Sequence, residues 1–132
     1  MIVDPSALVA VLTSEPDASE LLVALRTQTS TLSAAGYLEA AIVIDSRRDP
    51  VLSAQLDELL QRTKTGVVTV TPSQARVARQ AYREFGKGSG HRAQLNFGDC
   101  FSYALAVETG ERLLYKGDDF VHTGIRSALA GP

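Results

Sequence analysis

Five acidic residues stand where their carboxylates could act on one site. Asp4 follows the short apolar run at the start of the chain, and Asp99 falls in the first turn of a predicted helix. Glu39 stands among apolar residues, and Asp118 and Asp119 follow the last predicted strand. Each also has a structural explanation as a helix cap, a partner of the helix dipole, a solvated group or a turn residue.

The chemistry of these acids depends on whether the fold brings them together. In parallel α/β sheets the functional crevice lies beyond the carboxyl ends of the strands. Acids that gather there without matching bases repel one another unless a cation neutralises them. Oxygen ligands favour hard divalent ions, so the expected cofactor is Mg²⁺, with Mn²⁺ as a substitute.

Basic residues are concentrated in one segment, although the whole chain carries a net charge of −2. Residues 62–92 contain seven Lys and Arg residues and a single acid, Glu84. Such a flank on an otherwise acidic protein indicates a surface for a polyanion, but a solvated helix face explains the same pattern. The residues concerned are Arg76, Arg79 and Arg83 at helical spacing, and Lys87, His91 and Arg92 in or beside a glycine-rich loop.

The elements that must position these residues alternate along the chain. Sequence patterns predict strands at 1–4, 29–32, 67–70 and 112–115, and helices at 6–13, 17–26, 34–45, 51–62, 72–85 and 97–109. This alternation predicts an α/β fold with a short parallel sheet covered on both faces, in one domain over residues 1–132. Residues 86–91 are expected to form a flexible loop. Gly124 and the closing Gly131-Pro132 predict a weakly structured tail.

Composition excludes several classes of protein. With 132 residues and 45% hydrophobic residues, the chain can bury a core without disulfides. Its one cysteine, Cys100, excludes an internal disulfide framework and a multi-cysteine zinc site. No apolar stretch approaches the roughly 20 residues of a membrane span. No basic residue precedes the apolar stretch at 5–14, so a signal peptide is not expected. We therefore expect a cytoplasmic protein with no membrane partner.

Four segments resemble, in the same order, the motifs of PIN domains. They are residues 1–8 (MIVDPSAL), 37–39 (YLE), 96–100 (NFGDC) and 113–120 (LLYKGDDF). The resemblance covers essentially the whole chain and is greatest to the stand-alone VapC-type toxins of bacterial toxin–antitoxin pairs. It implies a three-layer α/β/α sandwich and a Mg²⁺-dependent endoribonuclease. It also implies a homodimer inhibited by a cognate VapB-type antitoxin.

The resemblance assigns site residues by motif. Asp4, Glu39 and Asp99 match the family's metal site, and a fourth acid belongs to the last motif. Asp118 and Asp119 are adjacent here, whereas family members often place one residue between two acids. This departure leaves the fourth position open between them.

Three further residues are expected to support the acids. Pro5 departs from the small polar residue usual in the family, but Ser6 matches and is expected to hydrogen-bond a metal ligand or water. Asn96 is expected to cap the helix that carries Asp99. Lys116 is expected beside the acids, where it contacts the scissile phosphate or balances the two carboxylates that follow it.

The expected substrate is a cellular RNA, with structured tRNA favoured and ribosomal or messenger RNA as the alternatives. The basic residues would grip its backbone, and the glycine-rich loop would order on binding. A DNA-directed nuclease with the same acids and a non-catalytic binding module remain open alternatives. In the first two predicted helices the apolar residues exceed the needs of one small core, which the resemblance explains as a dimer face and an antitoxin groove. They are Leu8, Val9, Val11, Leu12, Leu21, Leu22 and Leu25.

Overall fold

The computed structural model describes residues 1–129, whose centre is a four-stranded sheet. The strands are β1 (Ile2–Val3), β2 (Thr31–Ser33), β3 (Gly66–Val68) and β4 (Leu113–Leu114). Their order is β3-β2-β1-β4, and every pairing is parallel. The parallel sheet expected from the sequence is therefore present, with β1 at an interior position.

Six helices connect and cover the strands, and their starts follow local sequence signals. Asp49 and Thr71 cap helices whose first residue is proline, and Asn96 forms a capping box with Asp99. No helix within residues 1–129 is long and apolar enough to cross a membrane. The helices are α1 (Pro5–Leu12), α2 (Ala18–Thr27), α3 (Ala34–Asp45), α4 (Pro50–Arg62), α5 (Pro72–Phe85) and α6 (Phe97–Thr109).

Two hydrophobic layers lie on opposite faces of the sheet. Val3 and Leu114 point into a cluster built with α1 to α4, whereas Ile2 and Leu113 point into a second cluster built with α5 and α6. Successive strand residues face opposite sides, so both residues of each two-residue strand are buried. The result is a three-layer α/β/α sandwich, as the sequence predicted.

The strands are shorter than predicted, or shifted. β3 was expected at 67–70 but ends at Val68, because its partner β2 ends at Ser33. Ser33 still pairs with Val68, but its hydroxyl already caps α3 by accepting a hydrogen bond from the Ala35 N–H at 3.3 Å, so the chain turns into the helix directly after it. Beyond that point β3 has no neighbouring backbone to pair with.

Two segments expected to be loosely structured are held by backbone hydrogen bonds. In the glycine-rich loop, the Leu95 N–H donates to the Phe85 carbonyl at 2.8 Å, and the Lys87 N–H donates to the Leu95 carbonyl at 2.9 Å. These bonds close the loop at its base.

The segment after Gly124 is also fixed, which corrects the expectation of a weakly structured tail there. The Leu113 N–H donates to the Arg126 carbonyl and the Ala128 N–H donates to the Leu113 carbonyl, each at 2.9 Å. The segment therefore extends the sheet edge at β4. Gly131-Pro132 lie outside the described residues.

Candidate active site

Asp4 is buried at the carboxyl end of β1, where it also caps α1. Its Oδ2 accepts the Ser6 N–H at 3.0 Å, and its Oδ1 accepts the Ser102 hydroxyl at 2.6 Å. Burial raises the pKa of Asp4 above its ordinary value, and repulsion from Asp119 adds to that rise. The hydrogen bonds from Ser102 and Ser6 oppose it, because they favour the charged form.

Asp99 lies in the first turn of α6 and is fixed by a reciprocal capping box. Its Oδ2 accepts the Asn96 N–H at 3.0 Å, while the Asn96 side-chain oxygen accepts the Asp99 N–H at 2.9 Å. Burial raises the pKa of Asp99 to about 7 against the lowering effect of the Asn96 hydrogen bond. The charges of Asp4 and Asp119 contribute to this rise, so a large share of Asp99 is protonated at neutral pH.

Glu39 reaches the same place from α3 by lying against the start of α6. A Cβ atom added at Gly98 would overlap the Glu39 carboxyl, so glycine is what allows this approach. Burial raises the pKa of Glu39, and the charge of Asp4 contributes to the rise. Glu39 is therefore close enough to Asp4 for the two charges to repel.

Asp119 is the acid of the last motif whose charge acts on the others. It raises the pKa of both Asp4 and Asp99, although it is itself exposed in the segment after β4. Asp118 is not among the groups that shift either pKa, and its carbonyl accepts the Val121 N–H at 3.3 Å in a turn. The structure thus brings Asp119 rather than Asp118 into the group formed by Asp4, Glu39 and Asp99, which we call the acidic cluster.

The acidic cluster is chemically suited to a hard divalent cation. None of the ion pairs within residues 1–129 includes one of its four members, and the charges that raise the pKa values of Asp4, Glu39 and Asp99 are those of other acids. In the same residues, no three His, Cys, Asp or Glu side chains are arranged to hold one ion together. Mg²⁺ usually takes only one or two carboxylates and completes its shell with water and phosphate oxygens. The donor set therefore fits Mg²⁺ with substrate oxygens better than it fits an ion that needs a full protein cage.

Lys116 does not balance the acids that follow it. Its Nζ donates to Asp17 Oδ1 at 3.0 Å and lies 3.7 Å from Glu15 Oε1, so the ammonium group is directed to the segment between α1 and α2. This corrects the expected neutralisation of Asp118 and Asp119. The Lys116 backbone N–H donates to the Ser6 hydroxyl at 3.0 Å, which links the segment after β4 to the start of α1.

The basic residues form an exposed surface on α5 and in the loop that follows it. Arg76, Arg79 and Arg83 are exposed and line one shallow surface cavity, and Lys87 and Arg92 are exposed in the loop. His91 is different, because its ring packs edge-on against Phe85 at 4.8 Å between centroids. Its Nδ1 accepts the Ala93 N–H at 3.0 Å, so the side chain helps to shape the loop.

Sequence reasoning missed Ser102 and gave no role to Phe97 or Gly98. Ser102 stands three residues after Asp99, on the same face of α6, and this spacing was a usable signal that it would meet the same neighbours. Phe97 is 77% exposed at the start of α6, which no pattern in the sequence predicted. The need for glycine at position 98 depends on α3 and could not be inferred from α6 alone.

Comparison with known proteins shows the family to which the chain belongs. Residues 1–125 match the PIN domain family. The chain is 56% identical over 130 residues to Ribonuclease VapC28 of Mycobacterium tuberculosis, covering 98% of both proteins. It is 51% identical over 126 residues to Ribonuclease VapC of Mycolicibacterium smegmatis, covering 95% of this chain and 97% of that protein.

The fold also resembles a solved toxin structure. The crystal structure of Mycobacterium tuberculosis VapC20, described as a sarcin-ricin loop cleaving toxin, aligns with a TM-score of 0.71 over 94% of this chain and 95% of that one. The sequences are 18% identical, so this likeness concerns the fold. Because the family match and the highly identical relatives each span nearly the whole chain, this protein belongs to the PIN-domain family as a ribonuclease of the VapC toxin group.

Proposed function

We propose that this ribonuclease is a Mg²⁺-dependent endonuclease that cleaves structured RNA, with tRNA as its target, and so inhibits translation in the cytoplasm. The observation that carries the metal dependence is the acidic cluster, in which burial and mutual repulsion raise the pKa values of three carboxyls. Such a group is stabilised in its charged form by a divalent cation.

Within this proposal each residue of the site has a stated task. Asp4, Glu39 and Asp99 would supply the carboxylates for the ion, either directly or through its bound water, and Asp119 would complete the negative surface. When bound, Mg²⁺ or a substituting Mn²⁺ would supply Lewis-acid chemistry, which lowers the pKa of a bound water and stabilises negative charge on a phosphate. Ser6, Ser102 and Asn96 fix the orientation of the two buried acids through the hydrogen bonds described above. This keeps the ligand positions set before substrate arrives.

The exposed basic surface supports an RNA substrate. Arg76, Arg79 and Arg83 share one face of α5, and Lys87 and Arg92 continue the positive charge into the loop. Phosphate contacts of this kind position nucleic acid without reading its sequence. We propose tRNA over longer RNAs because this basic surface is small and ends in the glycine-rich loop, with His91 as part of the loop's framework.

Two protein partners complete the proposal. A groove of about 280 Å³ lies between α1, α2 and α4, lined by Val11, Leu12, Leu22 and Leu59 and bordered by Arg26, Gln55, Glu58 and Arg62. Its apolar floor and charged border suit an amphipathic helix of a VapB-type antitoxin. Leu8, Leu21 and Leu25 of the same helices are fully buried and belong to the core instead.

The second proposed partner is another copy of the same chain, in a homodimer. Leu38, Ile42 and Val43 of α3 are 59%, 60% and 40% exposed, which leaves an apolar helix face for a second copy of the chain. Sedimentation equilibrium of the purified protein checks this assignment, because a monomer at micromolar concentration would contradict it.

Cleavage of total cellular RNA by antitoxin-free protein tests the proposed activity. We expect discrete fragments in Mg²⁺, none in chelator, and at least roughly 100-fold slower cleavage by Asp4→Asn and by Asp99→Asn. Mapping the fragment ends identifies the target RNA. Fragment ends that lie in another RNA would show that tRNA is not the substrate. Cleavage that survives both substitutions would place the active site elsewhere. Activity on DNA alone would favour the DNA-directed nuclease. Activity on neither nucleic acid would favour the non-catalytic binding module.

A further inference from the structure

An apolar pocket opens between α5 and the first turns of α6, the helix that carries Asp99. Its volume is about 230 Å³, and its lining is almost entirely apolar. Aromatic rings dominate it, with Tyr82 from α5 and Phe97 and Phe101 from α6. Arg79, one of the three arginines of the basic surface, also lines it.

The chain itself connects this pocket to the acids. Phe97 is the first residue of α6, it precedes Gly98, which lies against Glu39, and Asp99 follows one residue later. The Phe97 ring is 77% exposed and meets Phe101 edge-on, with 5.0 Å between ring centroids. Phe97 and Phe101 also line a second apolar cavity with Leu38 and Ile42 of α3, and contiguous exposed apolar surface of this kind marks a binding surface. Glu39 of the acidic cluster lines that same cavity.

We propose that this pocket holds one unstacked base of the RNA next to the cleaved phosphate, with the base stacked on Phe97. This inference rests on the proposed ribonuclease action on RNA. Sequence-tolerant binding of single-stranded RNA uses aromatic faces for the bases and cationic side chains for the backbone. The pocket offers aromatic faces, and the adjoining face of α5 offers cationic side chains, those of Arg76 and Arg83.

The size and chemistry of the pocket favour a base over other occupants. Its volume of about 230 Å³ is below the roughly 300–1,000 Å³ typical of sites for larger small molecules. Because its walls offer few polar groups, it recognises the faces of a base rather than its hydrogen-bonding edges. The base therefore fixes the position of the phosphate, and the choice among the four bases is weak.

Fluorescence of a short single-stranded RNA that contains 2-aminopurine tests the pocket directly. In chelator, which prevents metal-dependent cleavage, we expect the wild-type protein to bind this RNA and quench the fluorescence through stacking. Phe97→Ala should remove the quenching and weaken binding by roughly 5- to 150-fold, the range that corresponds to one lost stacked base. Phe97→Trp should restore both, because it restores a stacking face.

Two controls separate stacking from charge and from general damage. Val107→Ala truncates another exposed residue of α6, outside the pocket lining, and should leave binding and quenching unchanged. Arg76→Gln with Arg83→Gln should weaken binding and flatten its salt dependence, yet leave the quenching intact at saturating protein.

Three results would overturn the base pocket. The first is a wild-type protein that binds the RNA without quenching, or does not bind it. The second is a Phe97→Ala variant that quenches like wild type. The third is a Phe97→Ala variant that loses binding only because its oligomeric state changes in sedimentation, since Phe97 would then belong to an interface between copies. If metal-dependent RNA cleavage persists under any of these results, the proposed function stands and only the pocket assignment fails.

Discussion

At the scale of single residues, the site is defined by carboxyls held where their charged forms are unfavourable. Asp99 is 6% exposed and Asp4 is 3% exposed, and the pKa of each is raised first by burial and then by other acids. Hydrogen bonds from Asn96 and Ser102 relieve only part of this penalty. Folding therefore places these acids at a cost in stability, which a bound cation would offset.

The raised pKa of Asp99 predicts that the metal-free protein loses stability as pH rises. Below the ordinary value of 3.8, both the folded and the unfolded chain keep the proton, so the group has no effect. Between 3.8 and about 7 the unfolded chain holds fewer protons, so stability falls. Above about 7 the full penalty is present.

Asp99→Asn should therefore stabilise the metal-free protein at pH 8. We expect its Tm to rise by at least about 4 °C, which corresponds to roughly 1 kcal/mol in a domain of this size. At pH 4 the difference should shrink, because wild-type Asp99 is protonated there. Thermal unfolding of both proteins in chelator, at pH 4 and at pH 8, measures this difference in Tm. Asp118→Asn, which removes an exposed acid outside the cluster, should not reproduce the effect. A lower Tm for Asp99→Asn at pH 8 would contradict the argument.

Asp118 and Asp119 form a matched pair, because they are adjacent and both exposed. Asp119→Asn removes a charge that acts on Asp4 and Asp99, so it should slow RNA cleavage by roughly 10- to 100-fold. Asp118→Asn should stay within about twofold of wild type, since an exposed charge outside the cluster is screened. The two variants are compared by their single-turnover cleavage rates at saturating Mg²⁺. Equal losses, or a larger loss for Asp118→Asn, would reassign the fourth acid.

At the scale of elements, the site depends on how closely α3 approaches the start of α6. Glu39 contributes from the middle of α3, and its carboxyl lies against the backbone of Gly98. Any side chain at position 98 would occupy the place of that carboxyl. The spacing of the two helices is therefore as important for the site as the identity of the acids.

Gly98→Ala should displace Glu39 while leaving the fold intact. Alanine favours a helix more than glycine does, and Glu39 is only half-buried, so little stability should be lost. RNA cleavage should fall by roughly 10- to 100-fold, as for a disturbed metal ligand. Gly66→Ala is the control, because a Cβ there meets nothing within 4 Å. Full activity in Gly98→Ala with an unchanged Tm would show that Glu39 is not required in this position.

At the scale of the whole molecule, α1 connects two functional regions. Asp4 caps its first turn, whereas Val11 and Leu12 near its end line the groove between α1, α2 and α4. The eight residues of α1 separate the groove from the acids by about 12 Å along the helix axis. An antitoxin helix in the groove therefore leaves the acids free. We therefore expect inhibition to require that the antitoxin chain continues towards them and supplies a cation such as an arginine side chain.

Leu22→Glu should separate antitoxin binding from catalysis. Leu22 lines the groove, so a charge there should abolish co-purification with the co-expressed cognate VapB-type antitoxin and release toxicity in cells. Metal-dependent RNA cleavage by the purified variant should match wild type. Val23→Glu is the control, because Val23 is exposed next to it but outside the groove. A complex that survives Leu22→Glu would show that the antitoxin binds elsewhere.

The sequence by itself determined most of the elements and singled out the candidate acids. The bounds of α3, α5 and α6 agree with prediction, because capping residues and helical periodicity act over a few neighbouring residues. The strand at β3 was predicted too long, since strand length depends on where the neighbouring strand ends. Asp4, Glu39 and Asp99 could be selected as acids without matching bases, and the resemblance to PIN domains gave them a common role.

Only the tertiary structure decided which charges meet. Asp118 and Asp119 are equivalent in the sequence, but the turn after β4 sets the charge of Asp119 against Asp4 and Asp99. Lys116 stands next to these acids in the sequence, yet its ammonium group pairs with Asp17. Such choices follow from side-chain direction and from contacts between residues about a hundred positions apart. Local sequence preferences act over a few residues and carry no information about them.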